Sequence, residues 1–330
     1  MNTPDYTALI DDQTWQFIRE TESHYPPDTI DLDAAGQRRA YDAMCAAFKQ
    51  PRSDEVISSD VTAERDGLSV PVRVYRSTVF APAAVLYIHG GGFVVGNLES
   101  HDDVCSELAE RTGLAIVAVD YRLCPEHTHP AAFADVLAAY RWIWDHVDGR
   151  VILSGDSAGG HLCAALANVL RGAQRPLGQV LIYPGLGGDT SVGSYLEHSD
   201  APLLSRDDVL YYHQVNSAGR DFSLDPTFAP LSAADFSNLP PTVAFSADCD
   251  PLRDDARQYC ERLLAAGVEA RYVNEDGLVH GYLRARHRAD RARASFDRVV
   301  EAIKDFAPPD ELPADAAAPN AAAPDGAAPE

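Results

Sequence analysis

Residues 151–170 read as an apolar strand, a turn flanked by glycines and a helix, with one serine at the apex of the turn. The stretch runs Val151-Ile-Leu-Ser-Gly-Asp-Ser-Ala-Gly-Gly-His161 and continues as Leu162-Cys-Ala-Ala-Leu-Ala-Asn-Val-Leu170 at helical spacing. Gly155 and Gly159 stand two residues to either side of Ser157, where a Cβ would crowd a tight backbone. In such a strand-to-helix turn the serine Oγ stands exposed above a sheet, and the next helix points its N-terminus at the same spot. A chain built around this turn needs a sheet whose strands lead directly into covering helices.

The rest of the chain supplies that sheet. Residues 55–61 and 68–75 alternate apolar and polar with period two, as half-buried antiparallel strands do. Continuous apolar runs follow at 84–88, 114–119, 151–153, 180–183 and 242–245, the pattern of parallel strands buried on both faces. Helical patterns lie between them, at 104–112 (with Ser100 to Asp103 as an expected capping box and Gly113 as its stop), 133–146 and 253–266. The expected architecture is α/β, a mostly parallel central sheet with helices on both faces, over residues 55–306. Residues 1–54 form two or three helices broken at Pro26-Pro27, a candidate N-terminal helical cap. The Gly-, Ser-, Asp- and Pro-rich segment 185–230 is an insertion expected to contribute to that cap. Residues 307–330, of Pro, Ala and Asp, have nothing to bury and are expected to be a disordered tail.

Composition removes several classes of function. At 46% apolar residues, 330 residues hold one large core. The net charge of −23 would repel phosphates, so nucleic acid is excluded as a partner. Solubility accounts for that acidity, with adaptation to high salt as the alternative. The six cysteines (45, 105, 124, 163, 249 and 260) show no C-x-x-C pair and no histidine at metal-ligand spacing, so buried reduced thiols and no metal are expected. No apolar run approaches a membrane span, and the N-terminus has neither the basic region nor the apolar core of a signal peptide. A cytoplasmic location is the expectation.

A serine is a poor nucleophile until a base takes its proton. Of eleven histidines, His280 follows the strand-like segment 270–273 through Asn-Glu-Asp-Gly, at the sheet edge where ligand groups of open α/β sheets collect. An imidazole used as base needs a carboxylate on its far nitrogen. Asp250 follows the strand at 242–245 and precedes a proline, which fixes its position; Asp248 is the runner-up. Asp254 and Asp255 suit the first turn of the next helix instead. The chain order serine, acid, histidine separates this arrangement from other serine-hydrolase folds. His89-Gly-Gly-Gly92 directly follows the strand at 84–88, and its glycine amides can approach a substrate oxygen with no side chain between. No G-x-G-x-x-G opens a helix there, which excludes a dinucleotide fingerprint.

Five segments together resemble one family. His89-Gly-Gly-Gly-Phe-Val-Val-Gly-Asn-Leu-Glu-Ser-His-Asp102, Asp120-Tyr-Arg-Leu-Cys-Pro-Glu126, Gly155-Asp-Ser-Ala-Gly-Gly160, Asp250-Pro-Leu-Arg-Asp254 and His280-Gly281 look like the hormone-sensitive-lipase family of α/β hydrolases. Within it the chain is similar to the bacterial acetyl esterases over about residues 50–306. The resemblance implies an α/β-hydrolase fold with an N-terminal helical cap and a cofactor-free carboxylesterase acting on short acyl esters. It assigns the nucleophile to Ser157, the acid to Asp250 and the base to His280. The oxyanion donors fall on the amides of Gly91, Gly92 and Ala158, with His89, Gly90, Gly155, Asp156 and Gly159 as supporting motif residues. The implied partner is a small-molecule ester, and a homodimer stays open. Cys124 and His161 depart from the alanine and asparagine usual in the family, and Asn274-Glu-Asp brings carboxyl groups to the approach to His280. Two other readings use the same frame: an amidase or deacetylase of an acetylated metabolite, and a non-catalytic small-molecule receptor.

Overall fold

The computed structural model describes residues 4–77, 83–172 and 174–308. The chain opens on helices α1 (Tyr6–Leu9), α2 (Asp12–His24) and α3 (Ala34–Phe48). Asp5, Asp11 and Asp33 cap them, each side chain accepting a first-turn amide. A hairpin of β1 (Val56–Arg65) and β2 (Leu68–Ser77) follows. Its two-residue turn, Asp66-Gly67, has positive φ at both positions, the conformation that matches the twist of paired strands.

Strands and helices then alternate: β3 (Ala84–Ile88), α4 (Asp102–Thr112), β4 (Ala115–Val119), α5 (Ala131–His146), β5 (Val151–Asp156), α6 (Ala158–Val169) and β6 (Gly178–Ile182). The insertion carries α7 (Ser194–Glu197) and α8 (Arg206–Ser217). The chain resumes with β7 (Thr242–Cys249), α9 (Arg253–Ala265), β8 (Ala270–Val279) and α10 (Asp290–Phe306).

The eight strands form one sheet in the order β1-β2-β4-β3-β5-β6-β7-β8. β2 alone runs against the other strands, antiparallel to β1 and β4; β3 through β8 are parallel. Every residue of β3, β5 and β6 is buried, as strands covered on both faces are. One face packs against α5, α6 and α9, through Val136, Tyr140, Leu162, Leu166, Tyr259 and Leu263. The other packs against α4 and α10, through Val104, Leu108, Phe296, Val299 and Ile303. The two-sided core expected from the sequence is present, and the six cysteines are free and buried in it.

The N-terminal helices are anchored in that core. Phe17, Ile18, Met44 and Phe48 join the cluster of α4 and α10. Each large apolar side chain buried in this way contributes about 1.5–3 kcal/mol. Arg288 pairs with Glu20, Arg291 with Asp11, and Gln13 with Asp290, so the segment is also tied along α10.

Two local expectations are corrected. Ser100 does not cap α4: His101 is the cap residue and makes no side-chain cap bond, while Ser100 Oγ donates to the Asn97 carbonyl and accepts from the Asn97 amide. Asn274 to Gly277 is not a loop but the continuation of β8, with an irregular register between Ala247 and Cys249 of the neighbouring strand. A strand tolerates that irregularity because Asp248 fills the gap, taking the Asn274 amide at 2.8 Å and the Gly277 N–H at 3.3 Å. The expected tail lies outside the described residues from 309 onward. Among the described residues no helix is long and apolar enough to cross a membrane.

Candidate active site

Four parallel strands deliver the site at their C-terminal ends: β3 leads to His89–Gly92, β5 to Ser157, β7 to Asp250 and β8 to His280. Ser157 sits at φ 53° and ψ −118°, in backbone that a residue with a Cβ adopts only under constraint. Its N–H donates to the Ile182 carbonyl at 2.8 Å, which ties the turn to the neighbouring strand. Close approach accounts for both flanking glycines. A Cβ on Gly155 would lie 2.5 Å from the Ile88 carbonyl oxygen, and one on Gly159 would overlap the same atom. The end of β3 and the start of α6 are thus in backbone contact.

Ser157, His280 and Asp250 form one hydrogen-bonded line. Ser157 Oγ lies 2.9 Å from His280 Nε2, and Asp250 Oδ2 lies 2.7 Å from His280 Nδ1. Asp250 is fully buried, and its other oxygen accepts the Leu252 amide at 2.8 Å. The runner-up acid, Asp248, instead braces β8. Glu275 pairs with Arg298, and the Asn274 side chain is taken by Asp248 and Ser246. The Tyr183 ring lies 4.8 Å from the His280 ring.

The glycine run faces the same point. Gly91 and Gly92 have φ of +121° and +57°, and among the described residues neither amide donates to a backbone acceptor. Ala158 opens α6, where first-turn amides have no partner within the helix. All three residues line a cavity of about 730 Å³ that also exposes Ser157 and His280. Backbone N–H groups without a protein acceptor, on the wall of the cavity that exposes Ser157, are the kind of donor an oxyanion requires.

Asp156 holds this loop. Its Oδ1 accepts the Gly90 amide at 3.1 Å and the Tyr87 hydroxyl at 2.9 Å, with His101 Nε2 at 3.3 Å and the Tyr183 hydroxyl 3.4 Å from Oδ2. Burial alone would raise its pKa, but the charges of His101 and Arg284 and the hydrogen bonds from His101 and Tyr87 hold it below the usual carboxylate range. His89 is a spacer. Burial pushes its pKa down to about 3, its Nδ1–H donates to the Gly90 carbonyl at 2.7 Å, and it stacks on Tyr121 at 4.3 Å. The two family departures have structural partners. His161 donates through Nδ1 to the Gly185 carbonyl at 2.7 Å, and the Cys124 thiol reaches Asn216 Oδ1 at 3.4 Å.

The roof of the cavity comes from two separate segments. Trp15, Tyr25 and Tyr41 come from the N-terminal helices and Leu204, Val209 and Tyr212 from the insertion. They meet through Gln37 and Tyr211 at 2.9 Å and through Tyr6 and His198 at 3.1 Å. Tyr212 lies directly over Gly92, whose missing Cβ makes room for its ring. No group of His, Cys, Asp and Glu able to hold a metal is present among the described residues.

The sequence profile described as alpha/beta hydrolase fold matches residues 85–284, the stretch that carries the glycine run, Ser157, Asp250 and His280. The chain belongs to the α/β hydrolases. Its place among them is the hormone-sensitive-lipase-like branch, as the five motifs imply. This hydrolase is 35% identical to an ethyl acetate hydrolase of Pseudomonas putida over 315 residues, 91% of this chain and 98% of that one. It is 40% identical to the carboxylesterase NlhH of Mycobacterium tuberculosis over 237 residues, 67% of this chain and 74% of the relative. Among solved structures, the hyperthermophilic esterase from the archaeon Pyrobaculum calidifontis superposes with a TM-score of 0.82 at 32% identity, over 90% of this chain and 99% of that one.

The structure brings together every residue singled out from the sequence as nucleophile, base, acid or oxyanion donor. Sequence reasoning missed Tyr87, His101, Tyr183 and Arg284. The hydrogen bonds of Tyr87 and Tyr183 to Asp156 span 69 and 27 residues, so no local spacing signals them.

Proposed function

We propose that this hydrolase is a serine carboxylesterase acting on short acyl esters, with Ser157, His280 and Asp250 as its triad. Ser157 Oγ attacks the ester carbonyl while His280 Nε2 takes its proton. Asp250 fixes the tautomer and stabilises the imidazolium. The carbonyl oxygen, now negative, is held by the amides of Gly91, Gly92 and Ala158, each donor worth about 2.7–4 kcal/mol. His280 then returns the proton to the departing alcohol. Water repeats the sequence on the acyl-enzyme, releasing a carboxylic acid and regenerating Ser157.

The observation that carries this reading is the Ser157–His280–Asp250 line opening on a cavity that also presents three unpartnered amides. The short-acyl preference draws support from the relative named for ethyl acetate. Residues 1–54 and 185–230 act as the cap that shields the acyl-enzyme, and the charge of −23 favours small molecules over nucleic acid as partners.

The test is a p-nitrophenyl ester series of rising acyl length, with wild type and Ser157→Ala, followed by labelling with a fluorophosphonate. Wild type turns over the short esters and takes up the label; Ser157→Ala does neither. Equal rates for the two proteins overturn the mechanism. An unlabelled wild type would point to a receptor, and a rate maximum at long chains overturns the substrate class alone.

A further inference from the structure

The cavity wall contains one arginine or lysine among its described residues, Arg284. It is half-buried, four residues beyond His280, on the turn that follows β8. Its guanidinium is held in place by a backbone carbonyl and a tyrosine hydroxyl. Nη1 donates to the Ser100 carbonyl at 2.9 Å, and Nη2 donates to the Tyr41 hydroxyl at 2.8 Å and lies 3.5 Å from His101 Nε2. The Tyr41 ring lies beneath it at 5.1 Å.

A guanidinium carries five N–H donors. Two are accounted for by the Ser100 carbonyl and the Tyr41 hydroxyl, and among the described residues neither Nε–H nor the second Nη1–H has a protein acceptor. Among the described residues no carboxylate lies within ion-pairing distance of Arg284, whereas Arg286, two residues on, has two. Asp156 acts on it through space, but that carboxylate is already occupied by Gly90, Tyr87 and His101. A cation fixed in place, with donors to spare and a face on the catalytic cavity, is a preformed seat for an anion. A planar guanidinium suits a carboxylate in particular, which it engages with two parallel hydrogen bonds.

We propose that Arg284 makes this hydrolase selective for esters that carry a free carboxylate on the part of the molecule lying against its guanidinium. The proposal rests on the esterase reading above and names the substrate class of the same site. The chemistry is unchanged: the ester C–O bond breaks, water supplies the hydroxyl of the new acid and the proton of the alcohol, and the second carboxylate serves only to bind. Glu22, Asp200 and Asp208 also line the cavity. Selectivity for an anion is therefore set by the local contact with Arg284 and opposed by the wider field, so it survives moderate salt.

Two matched pairs of substrates test it, followed by titration of released acid at pH 7.5. Ethyl hydrogen adipate against ethyl hexanoate places the carboxylate on the acyl side. 4-Acetoxybutanoate against butyl acetate places it on the alcohol side. The readout is the ratio of kcat/KM within each pair, for wild type, Arg284→Gln and Arg284→Lys. In one of the two pairs, Arg284→Gln lowers the ratio at least tenfold, through KM, because the contact is equal in ground and transition states. Arg284→Lys restores part of it.

A ratio unchanged by Arg284→Gln in both pairs overturns the proposal. So does an equal fall for both members of a pair, since a mere strut between Ser100 and Tyr41 would lower both alike. Where Arg284→Gln does not fold, inhibition of wild type decides. 5-Hydroxypentanoate binding at least tenfold tighter than 1-pentanol supports the seat, and equal binding overturns it. Turnover of the neutral esters with no effect at Arg284 leaves the esterase reading standing. Absence of any turnover by wild type brings both down.

Discussion

Replacing Asp255 by asparagine should remove a measurable pH dependence from the stability of this hydrolase. Asp255 is fully buried between the start of α9 and the loop that follows β6. One oxygen accepts the Leu186 amide at 2.6 Å, the Gly188 amide at 3.3 Å and the Tyr195 hydroxyl at 3.0 Å; the other has no partner. Burial pushes its pKa up to about 6, against those three hydrogen bonds, and the Asp250 carboxylate pushes the same way as burial. The folded state therefore holds this proton at pH values where the unfolded chain, titrating near 3.8, has lost it. Between those values the native state binds more protons, so stability falls as pH rises. A rise of about two pKa units corresponds to about 3 kcal/mol, lost between about pH 4 and pH 6 and absent thereafter. Asparagine keeps the accepting oxygen and has no charge to lose. Urea unfolding of both proteins at intervals from pH 4 to 7.5 isolates the effect, because every other titrating group cancels in the difference. Wild-type stability minus that of Asp255→Asn should fall by about 3 kcal/mol across the window. A difference that stays flat, or that rises with pH, refutes the reasoning.

Three further outcomes follow from the geometry. Asp250→Asn keeps the shape of the acid but presents the wrong hydrogen-bond partner to His280 Nδ1, and should lower kcat by about 10⁴ with folding retained; stopped assays on a short p-nitrophenyl ester, with circular dichroism as control, check it. Gly159→Ala places a Cβ on the Ile88 carbonyl and forces α6 away from β3. A shift of about 1 Å between Ser157 and the glycine loop should cost about 10²-fold in kcat/KM, and overpacking about 1–3 kcal/mol in urea unfolding. Arg286→Met strips the buried Asp103 and the part-buried Glu107 of a cation held at 2.5 and 2.7 Å, which should cost about 3–5 kcal/mol near neutral pH. Burial alone would raise the Asp103 pKa, and Arg286 is what holds it low, so that carboxylate stabilises the fold above its unfolded pKa and loses the contribution as pH falls. The deficit of the variant, measured by thermal unfolding, should accordingly shrink toward acid pH.

What the sequence disclosed about the fold was its local periodicity. The five continuous apolar runs became β3 to β7 because a strand buried on both faces has no polar alternation to blur it. The turn-like composition of Asn274-Glu-Asp-Gly277 predicts that β8 stops at Val273. The strand continues because Arg298 neutralises Glu275 and Asp248 satisfies Asn274 and Gly277, all from other elements. The capping box expected at Ser100 failed for a similar reason: Asn97, three residues upstream, captured the serine hydroxyl first.

The site divides along the same line. Ser157, Gly91 and Gly92 were legible because chain geometry near them forces their identity: strained or close backbone leaves glycine few substitutes. The support beneath them was not, because Asp156 draws its donors from β3, from the glycine loop, from the turn before α4 and from the end of β6. A buried carboxylate so surrounded is coupled to both halves of the reaction, since Gly90 leads into the oxyanion amides and Tyr183 packs against His280. Neutralising Asp156 would therefore disturb the donors and the base together, whereas loss of Asp250 acts on the base alone. The two defects separate by measurement: with a substrate bearing a good leaving group, which needs little proton donation by His280, the Asp250→Asn defect eases in the deacylation-independent burst, while an oxyanion defect persists in full.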